Sequence, residues 1–266
     1  MIEVPQVLTI AGIDSSGGAG INADLKTFHN QKVYAATVIT GITAQNTLGV
    51  QAIEPTRPEM IMAQFESIFT DLKITAAKTG ALFDEVWVQT VIDGLKKFPV
   101  KHLVLDPVMV AKGGAQLLEP AAIELFKNEL LPLAEVITPN LGEAEVLLQR
   151  SIEGDLEMIE AAQELQRLGA ENVLIKGGHR QGMVVRDLML FKNGQTSWYE
   201  APRIDTSRTH GTGDTLAALI VAGLARNEEL AAIMPAAKEF MNQAIQTTIN
   251  VGHGHGPLNH WVTGVK

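Results

Sequence analysis

Again and again along this chain a short β-branched run gives out at a proline or glycine beside a polar residue, and a helix-period pattern takes over. VLTIAGI (7–13) gives way to the glycine-rich SSGGAG and then to the helical pattern INADLKTFHN. YAATVIT (34–40) reads as a second strand, and PEMIMAQFESIFTDL (58–72) as a helix with proline at its start. ITAAKTG is a strand and turn, EVWVQTVIDGLKKF another helix, and HLVLDP, EVITPN and NVLIKGG three further strand candidates. Strand, loop and helix in repetition predict an α/β fold with a mostly parallel sheet. MVVRDLMLFKNGQTSWYEA (183–201) breaks the pattern and predicts a hairpin turning at Asn193-Gly194. No repeat, linker-like stretch or low-complexity segment interrupts the series, so one domain over 1–266 is expected.

In such sheets ligands gather outside the carboxyl ends of the strands. The chain puts its unusual polar residues there: Asp14, Lys78, Asp106, Asn140 and Lys176. A net charge of −9 argues against a nucleic-acid backbone or an anionic membrane as partner, while leaving room for a local basic pocket. There are no cysteines, which excludes disulfides and thiolate metal sites. The N-terminus MIEVPQVLTI has an acid at position 3 and no basic stretch, so no secretory signal is read. The most apolar run, Leu216 to Ala225, is about half of the ~20 residues that cross a bilayer. A soluble, cytoplasmic protein is expected.

Several short motifs carry chemistry beside a plainer reading. GIDSSGGAG (12–20) is not a phosphate loop, because Gly18-Ala19 stand where lysine and Ser/Thr belong, and it lacks the dinucleotide fingerprint. Its four glycines fit either close approach to a ligand or a tight connector. Asp106 closes an apolar strand before Pro107 forces the chain out; it fits a metal–water shell or a loop aspartate bonding nearby amides. Asn140-Leu-Gly-Glu143 has the spacing of a capping box. Lys176 before two glycines fits a nucleotide phosphate contact or a solvated lysine. In THGTGD (209–214), Gly211 and Gly213 permit a turn whose amides converge at a helix start, an anion hole for a phosphoryl group in transfer. Asp214 there either caps the helix or takes a proton from a substrate hydroxyl. His253, His255 and His260 have no carboxylate or cysteine at ligand spacing and are not read as a zinc site.

Taken in order, TIAGIDSSGGAGINADLKTF, TAQNTLGV, KTGAL, DPVMVAKGG, ITPNLGEAEVLL, IKGGH, THGTGDTLAA and GHGHGP resemble the hydroxymethylpyrimidine/phosphomethylpyrimidine kinases of thiamin biosynthesis, essentially end to end. The resemblance implies a ribokinase-like three-layer α/β/α sandwich around a mostly parallel central sheet. It also implies transfer of the ATP γ-phosphoryl group to 4-amino-5-hydroxymethyl-2-methylpyrimidine, and a second transfer to the monophosphate, by a homodimer using ATP and Mg²⁺. By position, Gln45 would hydrogen-bond the aminopyrimidine, and Gly12, Ala19, Asp24, Leu82 and Val108 would line its pocket. Asp106 and Glu143 would organise Mg²⁺ through water. Lys176, Asp187 and Thr209 fall on the nucleotide side, with Lys176 the direct phosphate contact, and Gly211, Thr212 and Gly213 supply the anion hole.

Phosphoryl transfer asks mainly for positioning and charge neutralisation, which this set provides. The paired donor and acceptor of Gln45 complement an aminopyrimidine edge. The chain departs from the family where cysteine usually stands and Asp214 is found, the form in which wider sugar kinases use aspartate as base. It also carries Ala81-Leu82 where methionine-leucine is common. A pyridoxal or pyridoxine kinase is the alternative acceptor reading; Gln45 and the absence of a cysteine at Ala111 weigh against it. A non-catalytic pyrimidine-sensing module would be expected to lose the acidic pair, the lysine or the glycine turn, all of which are here.

Overall fold

The computed structural model describes residues 2–110, 114, 117–178 and 182–263. Among them the chain runs β1 (Gln6–Asp14), α1 (Gly20–Asn30), β2 (Tyr34–Asn46), β3 (Gly49–Pro55), α2 (Pro58–Phe69), β4 (Ile74–Thr79), α3 (Glu85–Lys97), β5 (His102–Leu105) and α4 (Pro120–Leu125). It continues through β6 (Val136–Ile137), α5 (Leu141–Leu148), α6 (Asp155–Arg167), β7 (Asn172–Ile175), β8 (Val184–Leu190), β9 (Thr196–Pro202), α7 (Thr212–Ala225) and α8 (Leu230–Gln246). The strands make one sheet in the order β3-β2-β1-β4-β5-β6-β7-β8-β9. Pairing is parallel from β2 to β7 and antiparallel where β3, β8 and β9 join at the edges.

Strand side chains alternate in direction, and here both directions are apolar. Leu8, Ile10, Ala77, Leu103, Leu105, Ile137, Val173 and Ile175 enter one core, which Phe65, Val91, Leu147 and Leu165 close from α2, α3, α5 and α6. Their neighbours Val7, Ala76, Val104, Val136 and Leu174 enter a second core, closed by Phe28 of α1, Ile220 of α7 and Phe240 of α8. Three layers result, as the resemblance implied, around the mostly parallel sheet that the alternation predicted. Every residue of α7 from Thr215 to Ala225 is buried, because the helix has sheet on one side and α1 and α8 on the others.

The chain leaves β1 for β2 on one side and returns to β4 on the other. That reversal opens a crevice at the carboxyl ends of β1 and β4, where Asp14 and Lys78-Thr79 sit.

The hairpin at 183–201 is present, with Gly194 at φ +83° and Phe191 N–H donating to Gln195 O at 2.9 Å. Two element ends differ from expectation. The second strand does not stop at 40 but runs to Asn46 and pairs with β3. Residues 41–55 carry no sustained apolar alternation because β3 is an edge strand that buries little, and the Asn46 side chain accepts from Leu48 N–H at the bend. The helix from 58 ends at Phe69, where the Thr70 hydroxyl turns back on the Glu66 carbonyl. Ala111 and the neighbouring part of DPVMVAKGG, with His179 of IKGGH, lie outside the described residues.

The segment after α8 folds back over α7, and His260 is buried there with Nε2 2.9 Å from the Thr215 hydroxyl. Burial, aided by the charge of Lys26, depresses its imidazole from 6.5 to about 4. The folded protein thus holds His260 neutral, so its full stability is present above pH 6.5 and declines as pH falls towards 4. The depression corresponds to about 3 kcal/mol. The stability difference between the protein and His260→Gln, from thermal melts, is therefore expected to shrink or reverse between pH 7 and 4.5; a constant difference would contradict this.

Candidate active site

The crevice is a cleft of about 700 Å³ walled by the two glycine-rich loops, the ends of β2, β5 and β7, and one face of α8. The first loop is organised from within. Asp14 Oδ1 accepts from the Ser16 amide and hydroxyl at 2.8 and 2.7 Å, and Oδ2 from the Gly18 and Ala19 amides, both at 2.9 Å. His210 Nε2 lies 2.8 Å from the same Oδ2. Burial pulls the Asp14 carboxyl up, but the bonds from His210 and Ser16 outweigh it and hold it at about 2. Amides that a phosphate could have used therefore already embrace a carboxylate of the chain itself. The loop's glycines allow close packing, since a Cβ on Gly18 would fall 2.5 Å from His210 Cδ2, while Gly12, Ala19 and Gly20 still face the cleft.

The second loop is free to do what the first is not. Gly211 precedes α7 at φ +82°, a conformation glycine adopts without strain, and a Cβ there would fall 2.0 Å from Gly18 O. No side chain caps α7, so the capping reading of Asp214 fails. Its carboxylate instead lies 3.2 Å from Lys78 Nζ, which is itself 2.7 Å from Asp24 Oδ1. Burial pushes the Asp214 carboxyl up, yet the Lys78 ammonium and the Gly20 amide prevail and hold it below the usual carboxylate range. Asp24 goes the other way: burial raises it to about 7 against the pull of Lys78. Burial would lower Lys78, but Asp24 and Asp214 together raise it, so it stays an ammonium.

Two expected pocket residues are corrected by this arrangement. Asp24 and Leu82 do not line the cleft. Asp24 is fully buried behind it, with Oδ2 accepting from the Thr9 hydroxyl at 2.6 Å, because a lysine in the sheet needs a buried counter-charge. Leu82 packs in the first core. The other expected residues, Gly12, Ala19, Gln45, Asp106, Val108, Glu143, Lys176, Asp187, Thr209 and Gly211 to Asp214, meet on one wall or another of the same cleft.

Acidic and basic groups alternate at the ends of β5 to β8. Lys176 Nζ lies 2.8 Å from Asp106 Oδ1, which also accepts from the Thr138 hydroxyl at 3.1 Å. The Asn140–Glu143 capping box is real: each residue's amide N–H bonds the other's side chain, at 2.7 and 2.9 Å. Glu143 thus serves the helix and the cleft at once. Burial and the nearby Asp106 raise its carboxyl to about 7 despite Lys176. Asp187 is engaged inside the wall, accepting from Gly177 N–H at 2.9 Å and from Lys238 Nζ at 2.5 Å.

This corner fits Mg²⁺. Asp106 and Glu143 are hard oxygen donors that both line the cleft, and two carboxylates suffice for an ion that keeps its waters and shares substrate phosphates. No group of three or more His, Cys, Asp or Glu forms a protein cage among the described residues.

The sequence reading named Lys78 as a strand-end residue without giving it a role, and gave none to His210. Lys238, Met241, Asn242 and Ile245 of α8 also wall the cleft. They sit on an ordinary amphipathic helix, and no local pattern marks them.

Comparison with known proteins agrees with the geometry. A family model described as phosphomethylpyrimidine kinase matches residues 14–259. The hydroxymethylpyrimidine/phosphomethylpyrimidine kinase of Haemophilus influenzae is 47% identical over 264 residues, 98% of each chain. Bacillus subtilis pyridoxal kinase in complex with ADP superposes with a TM-score of 0.89 at 37% identity, covering 97% of this chain and 98% of that one. Phosphomethylpyrimidine kinase from Clostridium difficile 630 does so with a TM-score of 0.81 at 39% identity, covering 91% of this chain and 100% of that one. From the aspartate that closes β1 to the segment folded over α7, the match takes in the glycine turn before α7, Lys176 and the Asp106–Glu143 corner, and the chain belongs to the phosphomethylpyrimidine kinase family of ribokinase-like kinases.

Proposed function

We propose that the chain, as a single kinase domain over 1–266, transfers the γ-phosphoryl group of ATP to 4-amino-5-hydroxymethyl-2-methylpyrimidine and then to its monophosphate. The observation that carries the reading is Asp214: an ionised carboxylate that caps nothing, beside a glycine turn at a helix start, in the cleft that also holds Gln45 and Lys176. Asp214 takes the proton of the acceptor hydroxyl at its free lone pairs, while Lys78 and the Gly20 amide keep the carboxylate in place. The amides of Gly211, Thr212 and Gly213, with the dipole of α7 behind them, receive the charge on the phosphoryl oxygens. Lys176 holds a nucleotide phosphate, Thr209 and Asp187 shape the nucleotide side, and Gln45 reads the pyrimidine with Gly12, Ala19 and Val108 around it. Asp106 and Glu143 would hold Mg²⁺ through water, and the ion when bound neutralises phosphate charge.

The reading includes a homodimer working in the cytoplasm. No described helix is long and apolar enough to cross a membrane, and Ile42 and Leu48 of the edge hairpin, 52% and 69% exposed, are available to a second copy. A second reading, pyridoxal as acceptor, is favoured by the similarity to the Bacillus subtilis pyridoxal kinase. Steady-state ADP release separates them. A kcat/KM at least about tenfold higher for the hydroxymethylpyrimidine than for pyridoxal is expected, a margin of roughly 1.4 kcal/mol in transition-state binding. The opposite order would make pyridoxal the substrate.

A further inference from the structure

His210 is buried between the two glycine-rich loops, and its Nε2 faces two groups at once. Asp14 Oδ2 is 2.8 Å away and a terminal amide atom of Gln45 is 3.1 Å away. The other terminal amide atom of Gln45 is 3.0 Å from the Thr43 hydroxyl oxygen, which lies 2.9 Å from the Ile13 carbonyl. Amide oxygen and nitrogen are assigned by the bonds they can make, and only one assignment closes this network.

Asp14 already gathers four hydrogen bonds from Ser16, Gly18 and Ala19 on its two oxygens, an environment that keeps it ionised and acceptor-only. A carboxylate oxygen at 2.8 Å therefore requires a proton on His210 Nε2, whether the ring is neutral or charged. With that proton in place, the Gln45 atom facing His210 must be the oxygen, since a second donor there would oppose the first. The Gln45 nitrogen then donates to Thr43, whose hydroxyl donates onward to Ile13 O. Every member is satisfied. Gln45 is left with one N–H and one oxygen lone pair side by side on its open edge, in a residue that lines the cleft.

We propose that His210 is a positioning residue that fixes the Gln45 amide in one of its two orientations, and so sets the pocket to read a 4-aminopyrimidine edge and reject the 4-oxo edge. This rests on the reading of Gln45 as the pyrimidine contact. The 4-amino compound offers a ring-nitrogen acceptor beside an amino donor. Its 4-oxo counterpart offers a ring N–H donor beside an oxygen acceptor, the same edge with the roles exchanged. An amide free to turn over serves both; an amide held by His210 serves the first. Gly18 is part of the device, because any side chain there would displace the imidazole.

The test measures dissociation constants of the 4-amino compound and its 4-oxo analogue by calorimetry. In His210→Phe, which keeps the ring volume and removes the donor, the affinity ratio of amino to oxo is expected to fall about tenfold, since turning the amide no longer sets donor against donor. In His210→Gln, which retains a donor near the Nε2 position, most of the ratio is expected to return. Equal weakening of both ligands in the Phe variant, or loss of the ratio in the Gln variant as well, would overturn the proposal. Gln45→Ala separates the two levels: if it too leaves the ratio intact, Gln45 does not read this edge and the acceptor reading itself fails there. If Gln45→Ala collapses the ratio while His210→Phe does not, only the role of His210 fails.

Discussion

Asp214→Asn is expected to lower kcat for the hydroxymethylpyrimidine by about 10²–10⁴-fold and kcat for its monophosphate by far less. The asymmetry follows from where protons are. The first acceptor is an alcohol and must lose a proton as the new P–O bond forms. The second acceptor is a phosphate with a second pKa of about 6, already ionised at neutral pH. Asp214 is suited to the first task because Lys78, 3.2 Å away, keeps it charged, and because no capping bond competes for its oxygens. Asparagine conserves shape and keeps an amide oxygen that can accept from Lys78, so the substitution chiefly removes basicity. Steady-state kinetics on both acceptors at pH 7.5 decide the matter. Losses of equal size would assign Asp214 to positioning or to the metal instead.

Gly211→Ala is expected to cost both transfers alike, about 10²–10³-fold in kcat, with a lower melting temperature. The residue holds φ +82°, and an added Cβ would stand 2.0 Å from the carbonyl oxygen of Gly18, so the turn must open or the two loops must part. Either movement takes the amides of Thr212 and Gly213 off the phosphoryl oxygens, and one misplaced donor of this kind is worth about 10²–10³. The phosphoryl group in flight is the same in both steps, so the ratio of the two rates should stay near its original value. The pair of variants thus separates proton removal, which one step needs, from charge stabilisation, which both need. A Gly211→Ala enzyme that lost the first transfer selectively would show the turn acting through Asp214 and not as an anion hole.

The layered sheet was legible because strands buried on both faces write continuous apolar runs, and each run here ends in a proline or glycine. The edges were not. β3 buries little and carries no alternation, and β6 shrinks to Val136–Ile137 because Pro139 follows almost at once. At the site, Asp106, Lys176 and the glycine turn before Asp214 were legible since each interrupts an apolar element at a strand or helix end. What escaped was long-range. Lys78 meets Asp24 and Asp214 from 54 and 136 positions away, and His210 meets Asp14 from 196. No spacing in the sequence records such pairs. The resemblance put Asp24 on the pocket wall, and no local signal was there to show that its carboxylate pairs with Lys78 behind it. The first glycine loop left two readings open, and the fold gives it a share of each: Asp14 takes the Gly18 and Ala19 amides, while Gly12 and Ala19 line the cleft.

The central claim is that one cleft performs two successive phosphoryl transfers to a pyrimidine with an aspartate as base. Phosphorus NMR of the protein with MgATP and the hydroxymethylpyrimidine tests it most directly. The expected record is a monophosphate-ester resonance that rises and then yields to the coupled pair of a diphosphate ester, while ATP gives way to ADP. ATP left intact with this pyrimidine, and consumed only when pyridoxal is supplied, would contradict it.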